Sequence, residues 1–121
     1  MKVFIIDDEE DVRYIMRLSL ARTEGIDLLE AVDGPQGIRV ARAEGPDCIL
    51  LDVMMPGMDG VATLAALRGA PETASIPVVF LTAAVMQHDL ERFARLGAQG
   101  VIRKPFDPRT LAGTLHEILQ R

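Results

Sequence analysis

The sequence has 121 residues, of which 49% are hydrophobic and 26% are charged, and its formal net charge is −5. This length and composition predict one domain over residues 1–121 and exclude wholesale disorder. The acidic balance argues against nonspecific nucleic-acid binding, which needs clustered Lys and Arg. Because no apolar run fits a signal peptide or a membrane span, we expect a cytoplasmic protein. The single cysteine, Cys48, lies in an apolar run and is expected to be a buried thiol.

The start of the chain predicts two strand–helix pairs. Apolar residues 3–6 predict a first buried strand, and the spacing of apolar side chains over 9–22 predicts an amphipathic helix. A second strand is predicted over 26–31. Asp33 then has the position of a helix N-cap, and Gly45 is expected to end that second helix.

The middle of the chain continues this alternation. Residues 48–51 are all apolar, as in a strand buried on both faces of a parallel sheet, and this third strand ends at Asp52. Asp59 is expected to cap the third helix. After a polar stretch, residues 77–81 predict the fourth strand and residues 86–96 the fourth helix.

The last strand and helix complete the pattern. Val101 and Ile102 form a short fifth strand, Asp107 is expected to cap the last helix, and Pro108 suits its first position. The inner face of that helix is formed by Leu111, Leu115, Ile118 and Leu119. Five strands alternating with five helices predict an α/β fold with a doubly wound, five-stranded parallel sheet.

Polar side chains follow four of the predicted strands, at the edge where the carboxyl ends of parallel strands meet. They are Asp7, Asp8, Asp52, Thr82 and Lys104. Carboxylates held together repel each other, and a hard divalent cation relieves that conflict; oxygen ligands favour Mg²⁺, with Mn²⁺ as a substitute. A carboxylate nucleophile, a metal, a lysine and a hydroxyl fit formation of an aspartyl phosphate. Each residue taken alone also fits an ordinary role, such as a helix cap or a loop lysine.

Four stretches of the sequence surround these polar residues: Ile5-Ile6-Asp7-Asp8-Glu9, Leu51-Asp52-Val53-Met54-Met55-Pro56-Gly57-Met58-Asp59-Gly60, Leu81-Thr82-Ala83 and Lys104-Pro105-Phe106. In this order and spacing they resemble the receiver domain of two-component response regulators, of the stand-alone, chemotaxis-regulator-like type. The resemblance extends over essentially the whole chain. It implies a flavodoxin-like (βα)5 fold with strand order 2-1-3-4-5.

The resemblance also implies a role for each site residue. Asp52 would accept a phosphoryl group from a sensor histidine kinase or a histidine phosphotransfer protein. Lys104 would pair with that group, Thr82 would move to hydrogen-bond it, and the Lys104–Pro105 bond is cis in many relatives. The implied ligands of Mg²⁺ are Asp8, Asp52, the Met54 backbone carbonyl and, through a water, Asp7.

Two features depart from the pattern of many receivers. Val101 occupies the position of a Tyr or Phe that rotates inward in those proteins, so the signal is expected to travel through helix four and the loop after Thr82 instead. Met54 and Ala84 lie two residues after Asp52 and Thr82, and neither side chain can orient a hydrolytic water. We therefore expect slow autodephosphorylation.

Two surfaces are candidates for partner binding. Tyr14, Ile15 and Leu18 lie off the buried face of helix one, and by resemblance this face would meet the phosphodonor. The face formed by helix four, strand five and helix five would meet a downstream protein. Helix four also carries four charged residues, Asp89, Glu91, Arg92 and Arg95. These residues either form ion pairs between subunits or are simply solvated. No direct contact with nucleic acid or membrane is expected.

Other classes of protein remain as alternatives. A haloacid-dehalogenase-type phosphatase would carry a second acid two residues after its nucleophile, where this chain has Met54, and no Gly-rich phosphate loop is present. We therefore expect no turnover of a separate substrate. A pseudo-receiver that binds partners without phosphorylation is the main alternative, although such domains usually lose an acid or the lysine. Helix five reaches the end of the sequence, so we expect either a free-standing regulator or the receiver of a longer protein.

Overall fold

The computed structural model describes residues 1–83 and 86–121, and in these residues five strands alternate with five helices as predicted. The strands are β1 (Lys2–Ile6), β2 (Asp27–Ala31), β3 (Cys48–Asp52), β4 (Val78–Thr82) and β5 (Gly100–Arg103). The helices are α1 (Glu10–Ala21), α2 (Gly34–Glu44), α3 (Gly60–Arg68), α4 (Gln87–Arg95) and α5 (Leu111–Leu119). Among these helices, none combines the length and the apolar character needed to cross a membrane.

All neighbouring strands pair in parallel, in the order β2-β1-β3-β4-β5. This order confirms the one that the resemblance implied. The register pairs Ile6 with Leu51 and Asp52 with Leu81, so the carboxyl ends of the central strands lie at the same level. Polar residues that follow or end these strands are therefore brought to one edge of the sheet.

Two cores cover the two faces of the sheet because successive side chains of a strand point to opposite sides. On one face Ile49 and Leu51 pack with residues of α2, α3 and α4, including the buried Phe93. On the other face Leu50 packs with α1 and with the inner face of α5. The doubly wound arrangement is thus confirmed. Every residue of β3 and β4 is buried, which explains why both strands are apolar up to their last residues, Asp52 and Thr82.

The predicted caps of α2 and α3 are confirmed. The Asp33 side chain accepts a hydrogen bond from the Gln36 backbone N–H at 2.8 Å, and the Asp59 side chain accepts one from Ala62 at 2.8 Å. Gly45 ends α2 with a φ of 55°, a left-handed conformation that favours glycine. These ends of helices follow from local contacts only.

The predicted start of the last helix was wrong. The Asp107 carboxylate accepts from the Arg109 backbone N–H at 2.9 Å, and the Thr110 N–H donates to the Asp107 carbonyl at 3.1 Å. These bonds close a tight turn over 108–110, so α5 begins at Leu111 with Thr110 as its N-cap. The Asp107 side chain is engaged two residues ahead and caps that turn instead of the helix.

Cys48 lies in β3 and is fully buried, as predicted. Burial in the apolar sheet raises the pKa of its thiol to about 12, with a smaller contribution from the neighbouring charge of Asp47. The thiol is therefore protonated and behaves as a small apolar side chain.

Candidate functional site

Four carboxylates meet at the carboxyl edge of the central strands. Asp7, Asp8 and Glu9 follow β1, Asp52 ends β3, and one carboxylate oxygen of each lies within 4.8 Å of the others. Asp7 and Asp52 are buried, whereas Asp8 and Glu9 are exposed. The predicted convergence of Asp7, Asp8 and Asp52 is therefore present in the structure.

Lys104, which follows β5, reaches into this group of carboxylates. Its Nζ lies 2.8 Å from Asp7 Oδ2, 3.2 Å from Glu9 Oε1 and 3.3 Å from Asp52 Oδ1. Its backbone N–H donates to the Thr82 carbonyl at 2.9 Å, which anchors the lysine to the end of β4. The Lys104–Pro105 peptide bond is cis, as the resemblance implied. A single ammonium thus faces three carboxylates.

The charges of this site alter the proton affinities of Asp52 and Lys104. Burial, together with the charge of Asp7, raises the pKa of the Asp52 carboxyl to about 6, although Lys104 opposes the rise. Burial alone would lower the pKa of the Lys104 amine, but contacts with Asp7 and Asp52 outweigh it and the pKa lies above its ordinary value. At neutral pH both the carboxylate and the ammonium are therefore charged.

One oxygen of this site shows that the residues fit a hard cation. Among the described residues, Asp52 Oδ2 is buried and has no hydrogen-bond partner. A buried, unpartnered carboxylate oxygen is energetically costly, and a bound cation removes that cost. The candidate ligand atoms in this group are all carboxylate oxygens. Oxygen ligands suit Mg²⁺ or Mn²⁺ better than a softer metal.

The loop after β3 folds back onto the site. The Met54 backbone N–H donates to Asp52 Oδ1 at 3.3 Å, and the Gly60 N–H donates to the Val53 carbonyl at 2.8 Å. Met54 is therefore adjacent to Asp52, and its role as a backbone-carbonyl ligand of the metal stays a prediction. Met54 is 75% exposed, and its side chain offers only a thioether at this position.

The hydroxyl predicted to hydrogen-bond the phosphoryl group, that of Thr82, lies at the end of β4. Thr82 is 2% exposed and ends its strand next to β3, which carries Asp52. Ala84, the other position predicted to flank the hydrolytic water, lies outside the described residues. Val101 is partly buried and pairs in register with Phe80, whose ring makes an edge contact with Phe93 at 4.9 Å between centroids.

Sequence reasoning did not assign two residues that contact the site. Glu9 contacts Lys104, and Arg13 donates from Nη1 to the Asp7 carbonyl at 2.6 Å. Glu9 directly follows the paired acids in the first motif, and that adjacency is a signal that could have identified it. Arg13 lies one helical turn further on, and the sequence gives no indication that its guanidinium turns back to Asp7.

The face of α1 predicted to bind the phosphodonor is exposed. Tyr14, Ile15 and Leu18 are 53%, 40% and 49% exposed. Ile15 and Leu18 line a groove between α1 and the start of α5, together with Pro108 and Ala112. The three residues are exposed, and the binding of a phosphodonor to this face stays a prediction. The same holds for any pairing between copies through the charged residues of α4.

The sequence of the chain is similar to a known domain family and to curated proteins of two bacteria. A family model described as the response regulator receiver domain matches residues 3–116. The alkaline phosphatase synthesis transcriptional regulatory protein PhoP of Bacillus subtilis is 35% identical over 99% of this chain, which covers 49% of that protein. Protein PilH of Pseudomonas aeruginosa is 33% identical over 98% of this chain, which covers 97% of PilH. The chain thus spans about half the length of PhoP and almost all of PilH.

Solved structures agree with these relatives. The chemotaxis protein CheY4 of Vibrio cholerae is 30% identical, with a TM-score of 0.89 and coverage of 97% of both chains. A putative response regulator from Chloroflexus aurantiacus is 29% identical, with a TM-score of 0.87 over 99% of this chain and 98% of that chain. Both similarities extend over nearly the whole chain.

Proposed function

Because this chain belongs to the response regulator receiver family, we propose that it is a phosphoacceptor switch of a two-component system or phosphorelay, with Asp52 as the phosphoacceptor. Receiver domains are signalling switches and are generally not classed as enzymes, and we extend this to propose that the chain turns over no separate substrate. One observation carries the proposal. The buried Asp52 carboxylate lies 3.3 Å from Lys104 and keeps an unpartnered oxygen within a group of four acids.

The proposed reaction is transfer of a phosphoryl group from a phosphohistidine. An oxygen of the Asp52 carboxylate attacks the phosphorus, and the bond between phosphorus and the imidazole nitrogen breaks. The electron pair of that bond remains on the nitrogen of the donor. A pKa of about 6 leaves Asp52 ionised at neutral pH, as a nucleophile must be.

The neighbouring residues would stabilise the charge that accompanies transfer. Lys104 is within reach of a phosphoryl group on Asp52, and we assign the Thr82 hydroxyl as a second donor to it. Mg²⁺, or Mn²⁺ in its place, would be held by Asp8, Asp52, the Met54 backbone carbonyl and, through a water, Asp7, and would neutralise charge on the phosphoryl oxygens. Phosphorylation adds roughly −1.5 to −2 charges at Asp52, which changes the balance between two packed states of the domain.

The proposed binding partners also follow from membership of the receiver family. Receiver domains interact with histidine kinases or phosphotransfer proteins and with downstream effectors. We propose that the exposed α1 face meets the phosphodonor and that α4, β5 and α5 meet the downstream protein. We further propose that residues 1–121 act as one receiver domain in the cytoplasm.

The decisive experiment is the intact mass of the protein after incubation with acetyl phosphate and Mg²⁺. We expect one phosphoryl adduct, which is absent with EDTA and absent from Asp52→Asn. Asp59→Asn is the matched control because it removes one acid while keeping a residue that caps α3 well, and it should be phosphorylated like the wild type. If no donor or metal gives an adduct, Asp52 is a structural residue and the pseudo-receiver alternative takes its place. An adduct that persists in Asp52→Asn would identify a different acceptor.

We also expect a long-lived phosphorylated state. The exposed Met54 side chain offers no group that orients or deprotonates an attacking water. Loss of the adduct after removal of the donor should therefore take many minutes or longer. Met54→Glu, which supplies a carboxylate at that position, should shorten the lifetime several-fold, whereas Met54→Leu should leave it unchanged. A wild-type lifetime of only seconds would contradict the expectation.

A further inference from the structure

The three carboxylates around Lys104 differ greatly in their access to water. Asp7 is fully buried, and the side chain of Asp52 is 4% exposed. The side chain of Glu9, by contrast, is 58% exposed. The Lys104 ammonium forms ion pairs with all three carboxylates within 3.3 Å, and it donates a hydrogen bond to the exposed one, Glu9, at 3.2 Å.

From this arrangement we propose that Glu9 is a displaceable partner of Lys104, which holds the ammonium in the unphosphorylated protein and releases it to a phosphoryl oxygen. The inference rests on the proposed function of Asp52. A phosphoryl group there needs a donor from Lys104, and in the described residues the ammonium donates to the Glu9 carboxylate. The Asp7 side chain is fully buried, and Asp52 carries the new group. Glu9 leaves at the lowest cost because its carboxylate is already largely hydrated.

The backbone of Glu9 is fixed, so the exchange involves the side chain alone. The Glu9 N–H donates to Asp7 Oδ1 at 2.9 Å, and the Glu9 carbonyl accepts from the Arg13 N–H at 3.2 Å as α1 begins. The carboxylate can therefore leave Lys104 by rotation of the Glu9 side chain while the backbone stays in place. In the contact position it also adds a fourth negative charge within 4.8 Å of an oxygen of Asp52, where a phosphoryl group would arrive.

Glu9 is thus a positioning residue that acts through Lys104. If its charge is removed while its shape is kept, the state with a phosphoryl group on Asp52 should become more favourable. Exposed ion pairs contribute little energy, and the expected gain is a two- to fivefold tighter binding of a phosphoryl analogue. The effect is small, but it has the opposite sign to the loss expected if Glu9 were needed to bind the metal or the analogue.

The test measures binding of beryllium trifluoride, whose beryllium bonds to a carboxylate oxygen and presents a tetrahedral anion like a phosphoryl group. The dissociation constant is obtained from ¹⁹F NMR peak areas at saturating Mg²⁺ for the wild type, Glu9→Gln and Glu10→Gln. Glu10 is the matched control because it is also exposed, carries the same charge and lies in the first turn of α1. Mg²⁺ affinity without the analogue is measured separately from the rise in melting temperature with Mg²⁺ concentration.

We expect two- to fivefold tighter binding by Glu9→Gln and no change for Glu10→Gln. Equal binding by all three proteins, or weaker binding by Glu9→Gln, would overturn the role of Glu9. An equal gain in both variants would also overturn it, because the effect would then be general charge repulsion. Failure of the proposed function gives a different result: the wild type itself would bind no analogue and form no adduct with acetyl phosphate, and both assignments would fall together.

Discussion

Replacing Gly60 with alanine is expected to lower the free energy of unfolding by roughly 3 kcal/mol or more. A Cβ at this position would overlap the Asp52 carbonyl oxygen and lie 2.7 Å from Val53 Cα. Both are backbone atoms at the end of β3, so no side-chain rotation can relieve the overlap. Either the end of β3 or the start of α3 must move, and the hydrogen bond from the Gly60 N–H to the Val53 carbonyl would be strained.

Urea denaturation of Gly60→Ala and Gly113→Ala measures this effect with a matched control. Gly113 lies inside α5, and a Cβ added there would meet open space among the described residues, so alanine should stabilise the protein by about 0.5–1 kcal/mol. Because the shift at Gly60 would move Asp52 itself, the variant should also form less phosphoryl adduct at a temperature where it remains folded. A loss of less than about 1 kcal/mol in the free energy of unfolding of Gly60→Ala would mean that α3 can shift at little cost. Gly60 would then not be needed to hold Asp52 in position.

Asp52→Asn is expected to stabilise the protein at neutral pH in the absence of divalent cations, by roughly 1–3 kcal/mol. In the wild type an ionised carboxylate is buried beside Asp7 with one oxygen unpartnered. The amide removes that charge while keeping nearly the same volume. Loss of the contact with Lys104 offsets part of the gain, and for this reason the lower end of the range is included.

The pH dependence has a definite sign. The pKa of Asp52 is raised from 3.8 to about 6 in the folded protein, so between those values the folded state holds a proton that the unfolded chain has lost. The contribution of Asp52 to the free energy of unfolding is therefore most favourable at the acid end of this window and falls as the pH rises through about 6. Asn does not titrate, so the stability advantage of Asp52→Asn should grow across the window and level off above about pH 7.

Denaturation curves at several pH values between about 4 and 8 give the difference between the two proteins, which cancels the titration of groups they share. Added Mg²⁺ should stabilise the wild type more than Asp52→Asn and so narrow the gap. If Asp52→Asn is as stable as the wild type or less stable at neutral pH, the buried charge of Asp52 carries no net cost.

The sequence by itself determined the elements and the edge of the sheet at which the site lies. The strands were predictable because apolar runs such as 48–51 can be buried only by packing on both faces. The N-caps at Asp33 and Asp59 were predictable because capping bonds join residues three apart. Alternation of strands and helices then forces a parallel sheet, and this places Asp7, Asp52 and Lys104 at one edge.

Only the tertiary structure decided how those residues meet. The turn at 108–110 displaced the start of α5 because the Asp107 side chain bonds to Arg109, a local choice that competes with the cap predicted from the same residue. The contact between Glu9 and Lys104 joins residues 95 positions apart. The distances that leave Asp52 Oδ2 unpartnered and Glu9 exposed depend on how α1 and the end of β5 pack against the sheet. Sequence patterns encode local geometry and burial, whereas the packing of the whole domain decides which carboxylates contact the Lys104 ammonium.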